Sequence, residues 1–236
     1  MAQALIHGAK TIEIRGNFDD ALELVRELGL RDEIEIVNSI NPYRIQGQKT
    51  AAFEICDELG DAPEMHFLPV GNAGNITSYW MGYNEYKIAG RSKSLPRMMG
   101  WQAEGAAPIV KGHVVTSPET VATAIRIGNP ASWEHAVKAS EESSGAIDTV
   151  SDDEILDAHR MLARTEGIFV EPASAAGIAG IVKSHARGLS PQDSTVAVTV
   201  TGHGLKDPGI AIENAKARSV VVDTDIKSVL GAIGMQ

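Results

Sequence analysis

The chain has 236 residues, 43% of them hydrophobic and 22% charged, enough for one large globular domain or one and a half smaller ones. A formal net charge of −10 argues against nucleic-acid and anionic-membrane partners, so any bound anion must be held by local geometry. A single cysteine excludes an intramolecular disulfide, and no Cys/His cluster has zinc spacing, so no metal site is expected.

Residues 1–7 have helical character and are closed by Gly8, and a strand is expected over 11–14. A helix follows over 19–28, with Asn17 or Asp19 as cap, Leu22, Val25 and Leu28 facing inward, and Gly29 as its stop. A short apolar strand is expected over 34–37. The first forty residues therefore read helix, strand, helix, strand, a piece of a parallel sheet. The opening resembles the middle of an α/β unit more than the beginning of a domain. No basic run followed by an apolar core is visible at the N-terminus, and no apolar run could span a bilayer. A cytoplasmic location is the expectation.

The polar loop 38–44 then falls at the carboxyl end of an expected strand, the edge where open α/β sheets bind ligands. Ser39 and Asn41 offer short polar groups there, and Arg44 offers a fork suited to phosphate or carboxylate. The alternative is an Asx/Ser turn beside a solvated arginine. A helix is expected over 48–59. Within it Cys56 shares an apolar pattern with Phe53, Ile55 and Leu59, which reads as a buried structural thiol rather than a nucleophile.

A strand over 65–70 runs into Gly71-Asn72-Ala73-Gly74-Asn75, and a helix begins at about Asn75, with Ile76, Tyr79, Trp80 and Tyr83 at helical spacing. Gly71 and Gly74 allow positive φ and lack the Cβ atoms that would hold a ligand off the main chain. The free N–H groups of the turn and first helical residues converge, and the helix dipole adds partial positive charge, so phosphate is the natural guest. The plainer alternative is a strand-to-helix turn that merely needs glycine.

Beyond it, a strand is expected over 98–103, helices over 119–127 and 132–143, and a strand over 146–150. His113 and His135 are isolated and read as surface or packing residues. Ser151-Asp152-Asp153-Glu154 is a capping-box signature for a helix to about residue 165, with its acids as dipole partners rather than catalytic groups. A short strand over 168–172 leads into a helix of small residues from Ala173 to Gly180, which lets another backbone or a flat ligand approach closely and reads first as tight helix–sheet packing. The β-branched stretch 195–200 reads as an interior strand ending in a second glycine-flanked turn, 201–208. A last strand over 219–222 and a helix over 226–233 complete the chain.

Four long strings, Asn38 to Ile55, Leu68 to Trp80, Gly167 to Gly180 and Thr201 to Pro208, together resemble the threonine synthases, pyridoxal-phosphate enzymes of the tryptophan synthase β-like fold (fold type II). The resemblance runs from the first residue nearly to the last. It implies an α/β fold of three layers with open, mostly parallel sheets, divided into a remnant of the smaller α/β domain over 1–44 and a large cofactor-binding domain over 45–236. It implies a lyase of threonine biosynthesis that converts O-phosphohomoserine and water to threonine and phosphate, as a homodimer in the full-length family.

Gly71, Asn72, Ala73, Gly74 and Asn75 match the cradle of the pyridoxal 5'-phosphate group, and Thr201 matches the hydroxyl residue facing the pyridine nitrogen. A hydroxyl there leaves that nitrogen largely unprotonated. Ser39 and Arg44 match positions holding the phosphate of the substrate. The family's Schiff-base lysine belongs to a motif resembling S-x-K-D-R, and a second motif resembling T-S-G-N-T wraps the ring; neither string occurs here. Lys49 and Lys206 sit in other family motifs and do not replace that lysine. No catalytic residue is therefore expected in this chain, which reads as an N-terminally incomplete copy, inactive alone. Two alternatives are a non-catalytic phosphate-binding or docking fragment, and a threonine dehydratase or cysteine-synthase-like enzyme.

Overall fold

The computed structural model of the protein describes residues 2–16, 18–31, 33–189, 194–215 and 219–235. Its centre is a four-stranded sheet in the order β3-β2-β1-β4, built from β1 (Met65–Pro69), β2 (Arg97–Ala103), β3 (Ala146–Val150) and β4 (Val196–Val198). Every pairing is parallel. The connections carry helices, as parallel crossovers require.

Alternation along the strands assigns side chains to two cores. Met65 and Phe67 of β1 with Met99 and Trp101 of β2 face α8 (Asp152–Thr165) and α9 (Pro172–Ala186). Leu68, Val70 and Met98 face α4 (Thr50–Leu59), α5 (Gly74–Ile88) and α7 (Trp133–Glu142). The result is three layers, helices on both faces of an open parallel sheet, as the resemblance implies. β1 is buried along its whole length, which is why it reads as a continuous apolar run rather than an alternating one. Burying a side chain such as Phe67 contributes about 2 kcal/mol.

Several local expectations hold. Ser151 caps α8 and Glu154 closes the reciprocal capping box. Cys56 is buried, and burial pushes its thiol up to about 11, so it stays an inert thiol. The small residues of α9 serve helix–sheet packing: a Cβ on Gly180 would run into the indole of Trp101.

Other elements differ. Residues 11–14, 34–37 and 219–222 carry no regular secondary structure, and none finds a ladder partner among the described residues. Residues 119–127 contain only the 3₁₀ turn Thr123–Ile125, and 168–172 contributes only a bridge from Val170 to His203. The expected helix over 48–59 is preceded by a separate one, α3 (Pro42–Gln48), with Pro42 in its first turn. At the front, α1 (Ala2–Ile6) ends before Gly8. α2 (Phe18–Leu28) begins one residue earlier than expected, so Asp19 lies in its first turn, while Asn17 lies outside the described residues. The short helix α6 (Pro108–Lys111) belongs to the β2–β3 connection, and two more, α10 (Pro208–Asn214) and α11 (Ile226–Ala232), follow the last strand. No helix among the described residues is long and apolar enough to cross a membrane.

Candidate active site

β1 and β4 are far apart in sequence yet adjacent in the sheet, and both point the same way. Their carboxyl ends therefore open side by side. The turn 71–75 leaves β1 there, and Thr201 follows β4 by three residues. Between them lies a cavity of about 280 Å³. Gly71, Asn72, Ala73, Gly74, Asn75, Thr201, Ser39 and Arg44 all line it, so the structure brings every site residue expected from the sequence to one hollow.

The glycine turn works differently from expectation. Neither Gly71 nor Gly74 has positive φ; that conformation falls on Ala73, at φ 65° and ψ 11°, immediately before α5. A left-handed alanine costs about 1 kcal/mol, and the surroundings hold it there. Asn72 pins the turn from outside, its Oδ1 accepting from the Ala131 N–H at 2.6 Å and its carbonyl from that of Ser132 at 3.2 Å. Asn75 pins it from below by donating to the Pro69 carbonyl at 2.6 Å. Gly71 is needed for close approach: a Cβ would stand 2.9 Å from the Ile125 Cα. A Cβ on Gly74 would meet only Ile45, at an ordinary 3.6 Å.

The main-chain N–H groups of Gly71 to Asn75 have no acceptor among the described residues, and the buried Asn72 Nδ2 likewise has none. Unpaired donors at the start of a helix of 15 residues suit an anion.

The opposite wall is built by the start of α9. Glu171 precedes the helix in extended conformation with Pro172 at its first position, and is only 3% exposed. Its carboxylate is held by Lys206, at 2.9 Å. Ser174, fully buried, bonds to Thr201 and Gly202. Neither Glu171 nor Ser174 is singled out by sequence. The Glu-Pro-Ala-Ser run signals a helix start, but nothing local says which strand end it faces.

The loop 38–44 divides between its two interpretations. Asn41 is structural: it caps α3 through the Tyr43 N–H at 2.9 Å and donates to the Ile36 carbonyl at 2.6 Å. Ser39 and Arg44 reach the cavity, and Arg44 is exposed with no ion-pair partner among the described residues. Lys49 points away, paired with Glu85 at 2.8 Å. A second hollow, about 260 Å³ between α8 and α10, has an apolar lining around Phe169 and Ala163.

Comparison with known proteins fits this arrangement. Residues 1–202 match the family described as pyridoxal-phosphate dependent enzyme. The chain belongs to that family. Curated relatives within it are threonine synthases: that of Bacillus sp. (strain ULM1) is 56% identical over 97% of this chain and 65% of its own length. That of Mycobacterium bovis is 58% identical over 94% of this chain and 62% of its own length. The chain thus spans a little under two thirds of these relatives.

Among solved structures, the processed form of threonine deaminase isoform 2 from Solanum lycopersicum aligns with a TM-score of 0.68 at 21% identity, covering 88% of this chain and 57% of that one. Maize serine racemase aligns with a TM-score of 0.68 at 16% identity, over 99% and 66%. At such identities the likeness is one of fold, and it is the fold of this pyridoxal-phosphate dependent family. The unpaired amides of 71–75, the close approach at Gly71 and the unpartnered Asn72 amide fit a phosphate-bearing cofactor in this cavity.

Proposed function

We propose that this chain serves threonine synthase chemistry, in which O-phosphohomoserine and water give threonine and phosphate with pyridoxal phosphate as cofactor. The observation that carries it is the convergence on one cavity of the amides of 71–75 and of Arg44 with Ser39, the amides without an acceptor and Arg44 without an ion-pair partner among the described residues. A phosphorylated substrate of a phosphorylated cofactor needs two such places. The identity of 52% to 58% with curated threonine synthases supports the same reading.

In this reading the amides of Gly71 to Asn75 bind the cofactor phosphate, with the N-terminus of α5 adding its dipole. Bound pyridoxal phosphate supplies an electron sink for negative charge developing on the substrate carbons. Thr201, which lines the same cavity, would face the ring nitrogen. Arg44 and Ser39 orient the substrate phosphate, which is also the leaving group, and Arg44 matches its charge. Lys206 is committed to Glu171 and does not act as the nucleophilic amine. No turnover by the chain alone is expected, because none of its residues matches the family's Schiff-base lysine motif.

Titration with pyridoxal phosphate, followed by tryptophan fluorescence and absorbance, tests this. Saturable binding with no lysine adduct after borohydride treatment is expected. Arg44→Ala should weaken binding of O-phosphohomoserine about tenfold, the scale of one charge-assisted contact, and leave the cofactor's affinity unchanged. Absence of cofactor binding, or an Arg44→Ala variant with unaltered substrate affinity, would refute the assignment.

A further inference from the structure

The hollow between α8 and α10 is close in size to the cavity at the strand ends, and the two share no lining residue. Its walls follow from helix spacing. His159, Ala163 and Arg164 lie at i, i+4 and i+5 on α8, and Ala211 and Ala215 are four apart at the end of α10. Alanines at 163, 211 and 215 leave a gap between the helices that longer side chains would fill. Phe169 adds an aromatic wall.

Fixed contacts keep that gap from closing. Arg160 donates to Asn214 of α10 and to Asp157 of its own helix, and Asn214 donates to the Leu156 carbonyl at 3.3 Å. The spacing of the two helices is thereby set. The Phe169 ring meets His203 edge-on with centroids 5.6 Å apart, and a Cβ on Gly204 would stand 2.4 Å from it. The ring cannot swing into the gap without leaving that packing. An apolar cavity of roughly 150 Å³ already takes a benzene-sized guest, and this one measures about 260 Å³.

Two polar groups at the hollow lack partners among the described residues. Arg164 is exposed and makes neither ion pair nor hydrogen bond, in a chain with 31 acidic residues for 21 basic ones. His159, only 5% exposed, donates from Nε2 to the Val170 carbonyl at 2.8 Å, while its Nδ1 has nothing to bond. A buried group left without a bond marks the wall as incomplete.

We infer that this hollow is a ligand site for a small carboxylate with an apolar, ring-sized body. The body lies between the alanines and Phe169, and the carboxylate meets Arg164, whose charge and forked donors match it. A sugar or a free phosphate would surrender its water to walls that return few hydrogen bonds. Because Arg164 is exposed, its charge adds only about threefold to the affinity. The site is independent of the proposed function and of any cofactor.

Backbone-amide NMR of the ligand-free chain tests this, with 3-phenylpropionate as probe and its neutral isostere 3-phenylpropanamide as control. Both should give saturable shifts at Ala163, Phe169, Ala211 and Ala215. A dissociation constant of about 1 mM suits a ligand of about eleven heavy atoms, with the carboxylate about threefold the tighter. Arg164→Gln should bring the carboxylate down to the affinity of the amide. Ala163→Leu, at an exposed helical position, should fill the gap and abolish both; Ala211→Leu blocks it from the facing helix if the first variant alters the melting curve. No saturable shift up to about 10 mM, equal affinities for the two probes, or shifts that persist in both leucine variants would overturn the inference. So would nuclear Overhauser contacts between the Phe169 ring and residues 219–235 in the free chain, since the chain's own end would then occupy the hollow.

Discussion

Stretches that all read as strands end in opposite environments. Phe67, Leu68 and Val70 are at most 1% exposed, in a strand paired on both edges. Ile12 and Val37 come from stretches that read as strands equally well, yet are 77% and 75% exposed and pair with nothing among the described residues. Residue preference for extended backbone is the same in both. The difference is a neighbour: a strand exists only as part of a ladder, and its apolar side chains are buried only when a layer packs on them. The turn 71–75 therefore rests on the well-buried element, while Ser39 rests on a loop that follows an unpaired stretch.

The largest expected test of this contrast is a pH titration. His66, fully buried on β1, has Nε2 at 2.6 Å from Thr199 Oγ1 and Nδ1 at 3.0 Å from the Tyr83 hydroxyl. Burial pushes its ionisation down from 6.5 to about 4. The unfolded chain takes up this proton at higher pH than the folded one, so stability is full above pH 6.5 and falls as pH drops towards 4. The loss amounts to about 3 kcal/mol at completion. Denaturant unfolding measured between about pH 7 and about pH 5 should already show the fall, before carboxylates contribute. A flat profile would mean that the β1 layer is open to water.

Next in size is Gly180→Ala, which drives a methyl into the Trp101 indole and should cost about 2 kcal/mol in chemical denaturation. A smaller loss would mean that α9 can lift from the sheet. At the other end, Ile12→Ser should change stability by less than about 0.5 kcal/mol, because an exposed side chain has little burial to lose. A cost near that of Gly180→Ala would show that the two stretches are packed alike and would abolish the contrast.

Legibility in the sequence followed the range of the interactions. The capping box of Ser151 and Glu154 spans three residues and could be read directly, as could the glycine turn, whose donors all come from one short segment. The positive φ was expected at glycine but falls on Ala73, because Asn72 and Asn75 anchor the turn on either side through partners outside it. Ser174 was invisible because its partners, Thr201 and Gly202, are 27 and 28 residues away.

The sequence alone determined the alternation of helices and buried strands, the string of free amides at 71–75, and the membership of a family of phosphate-bearing cofactor enzymes. These depend on periodicity, backbone chemistry and short motifs, all of which act over a few residues. Tertiary structure decided that β1 and β4 are neighbours, that Arg44 and Thr201 therefore share a cavity with the glycine turn, and which extended stretches become strands. Those outcomes depend on which distant surfaces bury one another, and pairing between remote segments is a property of the folded whole.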